Sequence, residues 1–101
     1  MAAVIWSEPA LLQLDEIASY IALDKPDAAR AVVRRIFEAT DHLARFKKMG
    51  QKIPELPHSS YRQVWIQPCW IYYRINGDDI HILHVRRAEQ SLRIGHLIEG
   101  D

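Results

Sequence analysis

The residues of this chain that could do chemistry cluster late in the sequence: Cys69, Arg74, His81, His84 and Arg87. If Asp79–Arg86 and Trp70–Asn76 are neighbouring strands joined at Gly77-Asp78, His81 falls opposite Arg74 on one sheet face. An imidazole beside a guanidinium offers a proton acceptor next to a cation. Cleavage of a phosphodiester needs both, with Arg87 as a phosphate clamp. The plainer reading of His81 is an exposed strand residue without a chemical role. His81 and His84 also form an H-x-x-H string, but three residues apart on a strand they point to opposite faces and cannot share a metal. Cys69 is the single cysteine, which excludes an internal disulfide and argues against a cysteine-based zinc site. His42, His58 and His96 show no defensible pairing, so neither a metal nor a cofactor is implied.

Positioning such residues requires a packed scaffold, and the composition supplies one. The chain has 101 residues, 49% of them hydrophobic, which suits one domain over 1–101 with a real core. Thirteen Lys plus Arg balance thirteen Asp plus Glu, a neutrality that argues against a dedicated non-specific nucleic-acid binder. A local basic patch remains, since Arg45 to Arg62 holds five basic residues against Glu55. Met1 to Trp6 lacks the pattern of a signal peptide, and no segment approaches about 18 uninterrupted apolar residues. The expectation is a cytoplasmic protein with no membrane partner.

Periodicity then gives the elements. Ala2 to Trp6, with β-branched Val4 and Ile5, reads as a first strand. Ser7 is a helix N-cap, with Glu8 and Pro9 in the first turn. Leu14, Ile17, Ala18 and Ile21 follow at helical spacing. Asp24-Lys25-Pro26-Asp27 breaks that helix, and Asp24 is expected to cap the next. The second helix carries the stripe Ala29, Val32, Val33, Ile36, Leu43 and Phe46, with Gly50 as its stop. So short a connection makes the two helices an antiparallel hairpin. Gln51 to Ser60, with Pro54 and Pro57, reads as an irregular loop. The period then becomes two over Tyr61–Gln67, Trp70–Asn76 and Asp79–Arg86, linked by Pro68-Cys69 and Gly77-Asp78. Ala88 to Ile98 is weakly helical.

These turns sort the side chains by face. One face carries Val64, Ile66, Ile71, Tyr73, Ile75, Ile80 and Ile82, with Arg62, His84 and Arg86 toward the ends, and suits burial under the helices. The other carries Trp65, Trp70, Tyr72, Arg74, His81, Leu83 and Val85, followed by Arg87. It mixes aromatics with cations, as an interface would, although an ordinary solvated sheet face has the same ingredients. Everything depends on the turns, because a one-residue slip exchanges the faces.

Several segments resemble the RelE/ParE superfamily of toxins. They are Ala18-Ser19-Tyr20-Ile21 with Asp24-Lys25-Pro26-Asp27-Ala28-Ala29, and Leu43-Ala44-Arg45-Phe46 with Gly50. Tyr61-Arg62-Gln63-Val64, the run from Trp70 to Asp78, and Ile80 to Arg87 complete the set. The resemblance covers nearly the whole chain, and its weight lies in the order and spacing of loose motifs. It implies an α+β fold of order β-α-α-β-β-β, a helix hairpin on one face of a mainly antiparallel sheet, to which the weakly helical tail would add a short C-terminal helix. It also implies the toxin half of a toxin–antitoxin pair, forming a hetero-oligomer with an antitoxin whose C-terminal segment wraps it.

Two activities occur in the family. RelE-like members cleave mRNA on the ribosome, whereas ParE-like members inhibit DNA gyrase. For the nuclease, the resemblance assigns Lys52 to one lysine role and Arg87 to the arginine after the last strand, with His81 as a substitute base. Ile66 and Gln67 stand where an arginine belongs, and Arg93 where a terminal tyrosine belongs. With those roles unfilled, the preferred expectation is a ParE-like gyrase inhibitor that acts by complex formation. Its target contacts would be Trp65, Trp70, Arg74, Arg86, Arg87 and Arg93, and no catalytic set is needed. Ribosome-dependent mRNA cleavage is the alternative. The antitoxin is expected along the helix hairpin and at a sheet edge.

Overall fold

The computed structural model describes residues 2–88. In chain order these are β1 (Val4–Trp6), α1 (Glu8–Ala22), α2 (Pro26–Leu43), β2 (Gln51–Lys52), β3 (Tyr61–Ile66), β4 (Cys69–Asn76) and β5 (Asp79–Arg87). The sheet runs β1-β5-β4-β3-β2. β1 lies parallel to β5, and every other pairing is antiparallel. Leu14 and Ile17 of α1 and Ile36 and Leu43 of α2 bury against Ile71, Tyr73, Ile80 and Ile82. The α+β fold and the helix hairpin on one sheet face are therefore as the sequence implies. Arg93 and the weakly helical tail lie outside the described residues.

Local chemistry explains where each helix starts. The Ser7 hydroxyl accepts from the Ala10 N–H and donates to the Leu83 carbonyl, so one side chain caps α1 and ties it to β5. Ser7→Ala is expected to lower stability by about 1 kcal/mol. A reduced urea midpoint with an unchanged m-value would show it. Asp24 does not cap α2. Lys25 occupies the cap without a side-chain bond, and Pro26 at the first helical position fixes the turn instead. α2 also ends at Leu43, three residues short of Phe46, which is 54% exposed.

Gly50 is not the helix stop but a packing site. Its N–H donates to the buried Tyr73 hydroxyl at 2.9 Å, and that hydroxyl donates to the Lys47 carbonyl at 2.7 Å. Arg62 donates to the Gly50 carbonyl at 2.7 Å. These three bonds pin the segment after α2 to the sheet, and Gln51 and Lys52 then pair with Gln63 and Arg62 as β2. The expected irregular loop is thus partly a strand.

Burial pushes the Tyr73 phenol above its ordinary value of 10.0, while the Gly50 bond and Arg62 pull the other way. A phenol with a raised folded value contributes its full stability below pH 10 and loses it as pH climbs through that raised value. Alkaline unfolding is accordingly expected to begin above pH 10, with Tyr73 absorbing as neutral phenol until the chain opens.

Two details change the sheet. The β3–β4 turn is Gln67-Pro68, joined by a cis peptide, so the register is Val64↔Ile71 and Trp65↔Trp70. This lies two residues from the Pro68-Cys69 expectation, and a shift of two preserves the faces. Gly77, at φ 61°, makes the β4–β5 turn where expected, giving Arg74↔His81 and Tyr73↔Ile82. Beyond that point β5 bulges. Tyr72 pairs with His84, leaving Leu83 as the extra residue; His84 still meets α1, and from Val85 to Arg87 each side chain lies on the face opposite to the expected one. Val85 joins the main core, and Arg86, not Arg87, turns to the open side.

Candidate target face and partner groove

The open side of the sheet is built in rows of cross-strand neighbours. Ile5, His81, Arg74 and Tyr61 form one row, since Ile5 pairs with His81, His81 with Arg74 and Arg74 with Tyr61. At the other end, Trp65 pairs with Trp70 and Trp70 with Arg86. The two indoles sit with centroids 5.2 Å apart and planes at 57°, a tilted contact that holds both rings without stacking them flat. Trp65 remains 45% exposed. The bulge in β5 is what brings a guanidinium beside this pair.

Between the rows lies a small second core of Tyr72, Leu83 and Ile53, with Leu56 packed against it. The Ile53–Leu56 turn therefore covers the middle of a face that alternation alone leaves open. Burial pushes the Tyr72 phenol up, the Glu55 carboxylate adds to the effect and Arg86 opposes it. The covering turn thus brings an acid to the same phenol that the bulge supplies with a cation.

The remaining candidates are spread apart. Arg87 lies on the helix side of the sheet, with its guanidinium 4.7 Å from the Tyr20 ring centroid. His81 is half-buried on the open face, six residues and about 20 Å of strand from Arg87. Lys52 sits exposed on β2, three strands and about 14 Å from β5. The structure thus unites His81 with Arg74, and Trp65 with Trp70 and Arg86. It does not gather Lys52, His81 and Arg87. Among the described residues no cluster of metal-ligating side chains occurs, and no helix is long and apolar enough to cross a membrane.

A second feature lies on the outer side of the hairpin. Ala18 and Ala22 of α1 face Ala29 and Val33 of α2 across a groove of about 420 Å³, and its rim carries Arg30 and Arg34. Small side chains keep the floor low, and Pro26 closes one end. Arg30 pairs with Asp27 within the helix, and both side chains are mostly exposed. The sequence reading placed a partner on this hairpin without finding the groove. Its signal was the run of small residues on the two helix faces nearest the Pro26 turn.

The fold is that of a small α+β domain, with the apolar groove on the hairpin side and the aromatic–arginine row on the open side of the sheet. Residues 4–92 match the family model for the ParE toxin of type II toxin–antitoxin systems, parDE, and the chain belongs to that family. It is 43% identical over 87 residues to the toxin candidate Y4kP of Sinorhizobium fredii, covering 85% of this chain and 88% of that one. It is 32% identical over 90 residues to Toxin RelE2 of Caulobacter vibrioides, covering 87% and 97%. A solved chain from the chromosomal ParDE system of P. aeruginosa has the same fold, with TM-score 0.71 and 24% identity over 88% of this chain and 98% of that one.

Proposed function

We propose that this ParE-family toxin inhibits DNA gyrase by complex formation and is neutralised by an antitoxin seated in the hairpin groove. The observation that carries the reading is the Arg86–Trp70–Trp65 row, because Trp and Arg are the side chains that most often anchor protein interfaces. Inhibition by complex formation requires no turnover and suits a neutral chain. Arg74 extends the same face, and Arg87 supports it from behind through Tyr20. The antitoxin segment would be an amphipathic helix, its apolar side on Ala18, Ala22, Ala29 and Val33 and its acids toward Arg30 and Arg34. The site of action is the cytoplasm, where gyrase and the ribosome both lie.

The His81–Arg74 pair supports a second reading, cleavage of mRNA on the ribosome, with the imidazole as proton acceptor. One pair of assays separates the two. Purified protein is added to gyrase supercoiling reactions and to translating ribosomes carrying labelled mRNA. Loss of supercoiling with intact mRNA supports gyrase as the target. Codon-dependent cleavage with normal supercoiling overturns it.

A further inference from the structure

Besides the Ser7 bond to the Leu83 carbonyl, the bulge that sets the direction of Arg86 is held by a side chain of α1. Gln13 reaches β5 with both ends of its amide. Its Oε1 accepts from the Val85 N–H at 2.8 Å, and its Nε2 lies 3.1 Å from His84 Nδ1. The backbone N–H of Val85 can only donate, so Oε1 must face it and the amide's orientation is fixed. Gln13 Nε2 is then a donor toward His84, and Nδ1 must accept. The imidazole is therefore neutral, with its own proton on Nε2.

Protonation of His84 would set an N–H on Nδ1 against the amide N–H₂ of Gln13. Turning the amide would restore that bond only by opposing a second N–H₂ to Val85 N–H. Either way one of the two bonds on the bulge is lost. His84 is 4% exposed, so water has little access to replace it.

The bulge has a downstream consequence. Gln13 lines the cleft between α1 and the end of β5 together with Glu16, Tyr20, Arg86 and Arg87. Without the extra residue, Arg86 would fall on the helix side and Arg87 on the open side. We propose that Gln13 and His84 form a proton-sensitive lock on the β5 bulge. While His84 is neutral, the lock holds Arg86 beside Trp70 and Arg87 over Tyr20; protonation releases both.

Among the described residues, Tyr72 is the cross-strand neighbour of His84, and Glu16 and Tyr20 of α1 with Arg86 and Arg87 of β5 line the cleft beside Gln13. Gln13 acts here as a positioning residue.

The test uses nitrogen-15 labelled full-length protein. In the neutral state His84 is expected to carry its proton on Nε2. As pH falls through the His84 titration, exchange protection of the Val85 amide should drop about tenfold, the effect of losing one partly buried hydrogen bond. In Gln13→Glu a carboxylate accepts from both Val85 N–H and the imidazolium. The His84 titration should then move up by about 1 pH unit, with Val85 protection retained in acid. A neutral His84 protonated on Nδ1, or Val85 protection indifferent to the His84 titration, overturns the lock. So does an unmoved titration in Gln13→Glu. The first two measurements need no substitution and decide the matter if that variant does not fold.

The consequence for activity, weaker target binding below the His84 titration, rests on the target-face reading above. If Arg86→Ala leaves target binding intact while the amide response occurs, the lock stands and that reading falls.

Discussion

Replacing Gly50 with alanine is expected to destabilise the protein by about 3 kcal/mol, the upper part of the usual range for forcing an extra methyl into a packed site. A Cβ at this position would lie 2.6 Å from the Gln63 carbonyl oxygen and 2.7 Å from both the Cε1 and the hydroxyl of Tyr73. None of these atoms can step aside cheaply. The Gln63 oxygen is backbone of β3, and the Tyr73 side chain is fully buried with its hydroxyl engaged at both Gly50 and Lys47. Relief would have to come from lifting the 44–52 segment off the sheet, which sacrifices the Tyr73 bonds, the Arg62 bond and the short β2 together. Gly77→Ala provides the contrast. Nothing lies near a Cβ there, so its cost is the strain of φ 61° alone, about 1 kcal/mol. Denaturant unfolding of both variants checks the ordering, and a Gly50→Ala midpoint equal to that of Gly77→Ala would show that the close approach is not rigid.

The contrast between the two glycines also marks what the sequence could reveal. Gly77 was legible because a positive-φ turn between two alternating runs is a local requirement. Ser7 was legible for the same reason, since its hydroxyl serves an N–H three residues away. Gly50 was misread as a helix stop because its true constraint is Tyr73, remote in sequence. β2 escaped because two residues show no period, and it exists only where Arg62 and Tyr73 hold the chain in place.

The open face divides along the same line. From Trp65 to Ile82 alternation sorted the side chains correctly, with even the two-residue register error leaving the faces intact. At Leu83-His84-Val85 three residues that all tolerate burial follow one another, so nothing in the pattern marks the extra residue. Among the described residues, Gln13, seventy-two positions away from Val85, and Ser7, at the Leu83 carbonyl, are the side chains that fix the bulge. The consequence was an exchange of Arg86 with Arg87 at the proposed target face. Coverage of Tyr72 by Ile53 was hidden for a similar reason, because the turn that places Ile53 follows from how the preceding segment is pinned.

Separating the two surfaces by mutation is expected to give opposite phenotypes. Trp65→Ala combined with Arg86→Ala removes the exposed indole and the cation beside its partner ring. At about 2 kcal/mol for each interface anchor, affinity for the target should fall several hundredfold, while antitoxin binding is retained. Reversing charge on the hairpin with Arg30→Glu and Arg34→Glu should do the converse. The groove floor of alanines and Val33 is untouched, but an acidic partner segment would now meet like charge, and antitoxin affinity should drop tenfold or more at low salt, less at high salt. Target inhibition by this second variant should persist and become resistant to antitoxin. The two surfaces lie on opposite sides of the domain, the groove over the hairpin and the Trp pair beneath the sheet, so direct coupling between them is not expected. Binding titrations of both variants against gyrase and against the antitoxin, at two salt concentrations, measure all four affinities. Loss of both partners from either variant would mean that one surface serves both, and the assignment of target and antitoxin to opposite sides would have to be abandoned.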